Sequence, residues 1–169
     1  MAEKNTLFSS KVKYTGIFSF NDFYKFCYDW LKEETGLDIA EEKYVEKLKG
    51  DSKDIEIAWK GTRKITDYFK FEVDVSFRIL GLKKVEITKE NVKVETNTGS
   101  VEIKVKSTLV RDYEGKFEKD AIRKFLRAIY EKWVITSRIN EMEGKLIGDS
   151  DEFLGQAKAY LDLEGKKRH

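Results

Sequence analysis

Between Phe69 and Leu80 the chain alternates without a fault: Phe69, Phe71, Val73, Val75, Phe77 and Ile79 fall on one side, Lys70, Glu72, Asp74, Ser76 and Arg78 on the other. A period of two predicts a half-buried β-strand. The same period surrounds it. Ile55, Ile57 and Trp59 alternate with Glu56, Ala58 and Lys60 before a predicted turn at "KGTR" (60–63). Val85 and Ile87 pair with Val92 and Val94 about a turn at "KEN" (89–91), and Val101, Ile103 and Val105 follow a further predicted turn at "NTGS" (97–100), where Gly99 can supply a positive φ. Turns this short join antiparallel strands only, so 54–113 is predicted to be an antiparallel meander.

On either side of this region the period is 3.6. An opening strand over 11–20 leads to Phe23, Phe26, Cys27, Trp30 and Leu31, a helical stripe capped by Ser19 or Asn21 and ended by Gly36. "IAEEKYVEKLKG" (39–50) predicts a second, shorter helix with Tyr44, Val45 and Leu48 inward and Gly50 as its stop. After "YEGK", Ile122, Phe125, Leu126, Ile129, Tyr130 and Trp133 form one stripe that Ile139, Met142 and Leu146 extend to about Gly148. Ser150 is then expected to cap a terminal helix with Phe153, Leu154, Ala157 and Leu161 on its apolar side, followed by the basic tail "KKRH".

The expected architecture is an α+β domain over 1–148. Its antiparallel sheet of about five to seven strands carries the N-terminal and long C-terminal helices on one face and is charged and wet on the other. Residues 149–169 form a terminal helix and tail that could dock on another chain. Strand, two helices, antiparallel strands and a long last helix is an order that, over 11–148, resembles the START-like helix-grip folds. The resemblance implies a curved sheet wrapping the long helix, with a cavity for an apolar ligand between them.

Composition narrows the chemistry. The 33 basic and 31 acidic residues leave a net charge of +2, so no global field draws in nucleic acid. No apolar run approaches the roughly 18 residues of a membrane span. Met1 is followed by Ala2, Glu3 and Lys4 rather than by the apolar block of a secretory leader, and a cytoplasmic location is expected. Cys27 is the only cysteine, which excludes an internal disulfide and any multi-cysteine metal site; its apolar helix position points to a buried, inert thiol. With one histidine, His169 in the tail, neither a Ser/His/Asp nor a Cys/His arrangement can be assembled with a well-placed base. "GIFSFND" and "GDSDEFLG" lack the spacing and the lysine of a phosphate-cradling loop, and "GDSDE" lacks the distal Glu of a calcium loop. No catalytic residue, metal ligand or cofactor is predicted.

Three binding readings remain. A non-enzymatic module for an apolar small molecule or lipid would line its pocket with Trp30, Trp59, Phe71, Phe77, Phe125 and Tyr130, although the same rings would equally fill a dry core. An assembly protein would form homo-oligomers through Phe153, Leu154, Ala157 and Leu161. A nucleic-acid module would use Lys60, Arg63 and Lys64 on a hairpin tip together with Lys116, Lys119, Arg123 and Arg127 on the long helix. Glu114, Glu118, Asp120 and Glu131 interleave with the helix cluster and favour an ordinary solvated face over the last reading.

Overall fold

The computed structural model describes residues 3–66, 68–111, 121–129 and 136–166. It has an α+β fold. Five strands, β1 (Glu3–Phe18), β2 (Asp38–Lys49), β3 (Ser52–Lys64), β4 (Phe69–Lys89) and β5 (Val92–Arg111), form one antiparallel sheet in the order β1-β5-β4-β3-β2. The helices are α1 (Phe20–Thr35), α2 (Ala121–Ile129) and α3 (Thr136–Lys166).

The first helix forms where its signals lie. Ser19 is its N-cap, accepting from the Asp22 amide at 3.4 Å, and Gly36 closes it in the left-handed region at φ 70°. It joins β1 to β2, which lie at opposite edges of the sheet. Sixteen residues make a helix of about 24 Å, and four strand spacings amount to about 19 Å, so α1 is long enough to cross the whole inner face. Phe23, Cys27 and Leu31 are its buried stripe.

α3 lies beside it against β1 and β5, burying Leu146, Phe153, Leu154, Ala157 and Leu161. The two helices meet through rings: Phe26 stacks on Tyr160 with centroids 4.6 Å apart, Phe23 lies 5.8 Å from Tyr160, and Trp30 lies 5.7 Å from Phe153. Beneath them the inner face is continuous from Ile55, Ile57 and Trp59 through Phe69–Ile79 to Val101, Ile103, Val105 and Leu109.

Several expectations are corrected. Residues 39–50 form a strand, not a helix: β2 is an edge strand whose register slips between Glu41 and Lys43, placing an extra residue there. The bulge changes parity, so Ile39 and Glu41 face the same way as Tyr44, Glu46 and Leu48, and the apolar spacing imitates a helix. Gly50 belongs to the turn joining β2 to β3, at φ 64°.

"KGTR" lies inside β3, and the turn comes after it, where the Thr66 hydroxyl accepts from the Tyr68 and Phe69 amides at 3.1 and 3.0 Å. "NTGS" lies inside β5. Gly99 is needed there because a Cβ would sit 3.2 Å from the Leu80 carbonyl oxygen and the Leu82 Cα, where β4 bulges at Gly81. The "KEN" turn is present, with Glu90 and Asn91 at φ 51° and 67° as a tight hairpin requires.

Ser150 does not cap a separate helix. α3 runs unbroken through it, and the hydroxyl, 4% exposed, donates to the Leu146 carbonyl at 2.7 Å and bonds the Ser107 hydroxyl of β5. The predicted stripe beginning at Ile122 is divided between α2 and α3, and Tyr130 and Trp133 lie outside the described residues.

Candidate functional site

Among the described residues the expected ligand-lining rings do not surround a common pocket, and Tyr130 lies outside those residues. Trp59 and Phe77 are 2% and 3% exposed and pack against each other at 4.8 Å. Phe71 is equally buried, and Trp30 is half-buried against Phe153. Among the described residues a void of about 10 Å³ lies between the sheet, α1 and α3, lined by Leu31, Leu37, Phe71, Val105, Leu146 and Phe153 with Thr35, Asp149 and Ser150 at its polar side. That is room for one water molecule at most.

Phe125 lies elsewhere, on α2, and is 64% exposed. Leu126 and Ile129 on the same helix are 50% and 38% exposed, so α2 presents an apolar surface rather than a contribution to the core. Its sequence, AIRKFLRAI, separates two kinds of residue. At about 100° per residue, Arg123, Lys124 and Arg127 fall within an arc of about 100°, and Ile122, Phe125, Leu126 and Ile129 share the opposite one. Lys124 is exposed; the side chains of Arg123 and Arg127 lie outside the described residues.

Lys60, Arg63 and Lys64 do not share one basic face. Alternation along β3 places Lys60 and Lys64 on the outer face and Arg63 on the inner one, where its guanidinium donates to the Thr35 carbonyl at 2.9 Å and so completes the C-terminus of α1. The residues expected to dock another chain, Phe153, Leu154, Ala157 and Leu161, are each 3% exposed or less and belong to the core.

Two features were not foreseen. One is a polar knot at the β2 edge, where Glu41 accepts from the Tyr24 phenol at 2.8 Å and from the Trp59 indole at 3.2 Å, with the Tyr44 ring 6.4 Å from that of Tyr24. Burial first, and then the bond to Glu41 and its charge, push the Tyr24 phenol up to about 12; burial and Glu46 do the same for Tyr44. Only the register of β2, hidden by its bulge, would have placed Glu41 beside Trp59.

The other is the outer face of the sheet, closed at one end, where the outward residues Glu72, Thr108 and Val110 are 7%, 6% and 1% exposed, and open towards its middle, where the short side chains of Ala58 and Ser76 floor a hollow of about 360 Å³ walled by Lys43, Glu56, Arg78, Glu102 and Lys104. A larger open concavity of about 560 Å³ lies at the start of α1, between the β2–β3 turn and Leu82–Lys84.

Cys27 is fully buried, and burial pushes its thiol well above the ordinary value, which disfavours a reactive thiolate. Among the described residues no three His, Cys, Asp or Glu side chains are grouped to hold a metal ion, and no helix is long and apolar enough to cross a membrane. No protein family model, no curated protein and no solved structure matches the chain.

Proposed function

We propose that the protein is a non-enzymatic lipid-binding module of helix-grip type, which engages the apolar and anionic surface of a membrane through α2 rather than enclosing a ligand in its core. The exposure of Phe125, Leu126 and Ile129 is the observation that carries this reading. The void of about 10 Å³ between the sheet, α1 and α3 would not hold an apolar molecule unless α3 first separated from the sheet.

An apolar arc set against a basic arc is the pattern of helices that lie in the plane of a membrane interface. Each cation beside an anionic surface contributes about 1 kcal/mol, so Arg123, Lys124 and Arg127 together supply about 3 kcal/mol. Nine residues bury too little apolar area for firm anchoring, and the attachment is reversible and dependent on anionic lipid. A cytoplasmic location would provide such a leaflet.

Flotation with vesicles tests the reading. The full chain is expected to float with vesicles containing phosphatidylserine and to remain behind with neutral ones. Phe125→Glu should abolish flotation without changing the thermal midpoint, because the residue contributes to no core. Failure of the unaltered protein to float with either vesicle, or flotation unaffected by Phe125→Glu, would overturn it. Dimerisation lost in Phe125→Glu, seen by light scattering without vesicle binding, would assign the same surface to a second copy instead.

A further inference from the structure

Independent of α2, the outer face of the sheet holds a cluster of cations that no described carboxylate pairs with. Across the β1–β5 register Lys11 stands directly opposite Lys104, and Lys106 follows on the same face two residues along β5. All three are exposed. Like charges directly opposite on antiparallel strands destabilise a sheet.

Several cations elsewhere on this face meet carboxylates, although among the described residues Lys60 does not. Lys13 pairs with Glu102 at 3.6 Å, Lys43 with Glu56 at 2.6 Å and Lys49 with Asp54 at 2.7 Å, while Lys4 and Lys70 share Glu72 at 3.6 and 3.4 Å. Among the described residues no carboxylate lies within 4.0 Å of the Lys11, Lys104 or Lys106 ammonium groups. Asp74 is the nearest acid by register, facing Lys106 on one side and Lys60 on the other, and it reaches neither. Glu102, the next outward residue along β5, is held by Lys13.

The ground beside these lysines is low. Ser76 is the register partner of Lys104 and Ala58 the partner of Ser76, so the hollow of about 360 Å³ opens against the Lys104 side of the cluster, with Arg78 and Lys43 on its other walls. No aromatic side chain projects from the outward positions of β3, β4 or β5, so no ring there could stack on a base. What the surface offers is ammonium groups and the Ser76 hydroxyl. Neighbouring strands set Lys11 and Lys104 about 4.8 Å apart, and Lys104 and Lys106 lie about 6.6 Å apart along β5.

We infer that Lys11, Lys104 and Lys106 form a binding site for a run of phosphate groups, which meets ammonium groups that no described carboxylate contacts. The shared chemistry is that of linked phosphates, found both in inorganic polyphosphate and in the phosphodiester backbone of a nucleic acid, which would be bound without reading its bases.

The full chain is titrated with inorganic tripolyphosphate and, separately, with a fluorescent mixed-sequence RNA duplex, each at two salt concentrations. Lys104→Gln/Lys106→Gln is compared with a control, Lys84→Gln/Lys93→Gln, which removes two exposed lysines outside the cluster. At least one ligand should bind the unaltered protein, and the cluster variant should weaken it tenfold or more and flatten its salt dependence, while the control changes it less than twofold.

Binding of tripolyphosphate alone would assign the site to short phosphate chains, and binding of the duplex alone to a nucleic-acid backbone. A fold-based readout stands beside affinity: without ligand, the cluster variant should melt no lower than the unaltered protein, since it relieves a repulsion, and saturating ligand should raise only the unaltered protein's midpoint. Binding of neither ligand at low salt, equal binding by the cluster variant, or binding confined to phosphatidylserine vesicles would overturn the inference.

Discussion

The indole N–H of Trp59 donates at 3.2 Å to the same Glu41 oxygen that accepts the Tyr24 phenol at 2.8 Å, across the register pair that joins β3 to the edge strand β2. One carboxylate therefore satisfies a donor from the core and a donor from α1. With Trp59 only 2% exposed, Glu41→Ala leaves a nearly buried N–H without its acceptor, and a cost of about 1–3 kcal/mol is expected in urea unfolding. The Tyr24 phenol should move back from about 12 towards 10.0, because both the bond and the charge of Glu41 hold it up. An unchanged unfolding midpoint would show that water replaces Glu41 without loss.

Alkaline pH should weaken the fold for a related reason. The Tyr24 and Tyr44 phenols are raised from 10.0 to about 12, chiefly by burial, and Tyr160 is raised in the same direction. Between those values the unfolded chain has lost phenolic protons that the native one retains, so stability present below pH 10 falls as pH rises towards 12. Spectrophotometric titration should show these phenols ionising late, in step with a declining urea midpoint. Ionisation of every tyrosine near 10 in the native protein would contradict it.

Deleting 149–169 should unfold the domain. Expectation from sequence alone would make this segment dispensable, but Phe153, Leu154 and Leu161 are buried on α3, and each such side chain contributes about 1.5–3 kcal/mol when taken from water. Their sum approaches the whole stability of an ordinary domain, roughly 5–15 kcal/mol. Circular dichroism of the truncated chain decides: native-like, cooperative melting would place the core elsewhere.

Along β4, Val75→Asp buries an unpaired charge and should abolish cooperative unfolding, whereas Ser76→Lys, one residue on and exposed, should leave the thermal midpoint nearly unmoved. Glu72→Lys, also on the outer face, should not be silent. Glu72 is 7% exposed and paired with Lys4 and Lys70, so reversing its charge sets three cations together; thermal melting of the three variants orders them.

The strand through Phe71 and Val75 was legible because its two faces meet such different surroundings that every second residue records them. α1 was legible for the same reason, with Ser19 and Gly36 marking its ends. β2 was not: most of its residues are exposed, its composition is that of a charged helix, and the extra residue at the Glu41–Lys43 slip broke the one period that could have revealed it.

Gly61 and Gly99 misled by suggesting turns, whereas both sit in strands where a neighbour comes close: a Cβ on Gly61 would lie 3.2 Å from the Leu37 Cδ1. Among candidate site residues, the inward direction of Trp59, Phe71 and Phe77 could be read, but not whether rings fill a space or line it, which depends on how α3 seats. The Lys11–Lys104 pair could not be read at all, since it exists only because the sheet places β1 beside β5.

That placement also sets a timetable. β1 holds no partner in its own neighbourhood; Glu3 pairs with Arg111 and Phe18 with Asn97. Strands β2 to β5 can close as successive local hairpins, but the first strand to leave the ribosome is the last to be paired. At the usual 5–20 residues per second, roughly 5–20 s separate the emergence of Phe18 from that of Arg111. Throughout that interval a sixteen-residue strand carrying Tyr14, Ile17 and Phe18 waits with its backbone unpaired, and its three lysines and its hydroxyls disfavour pairing with the wrong chain.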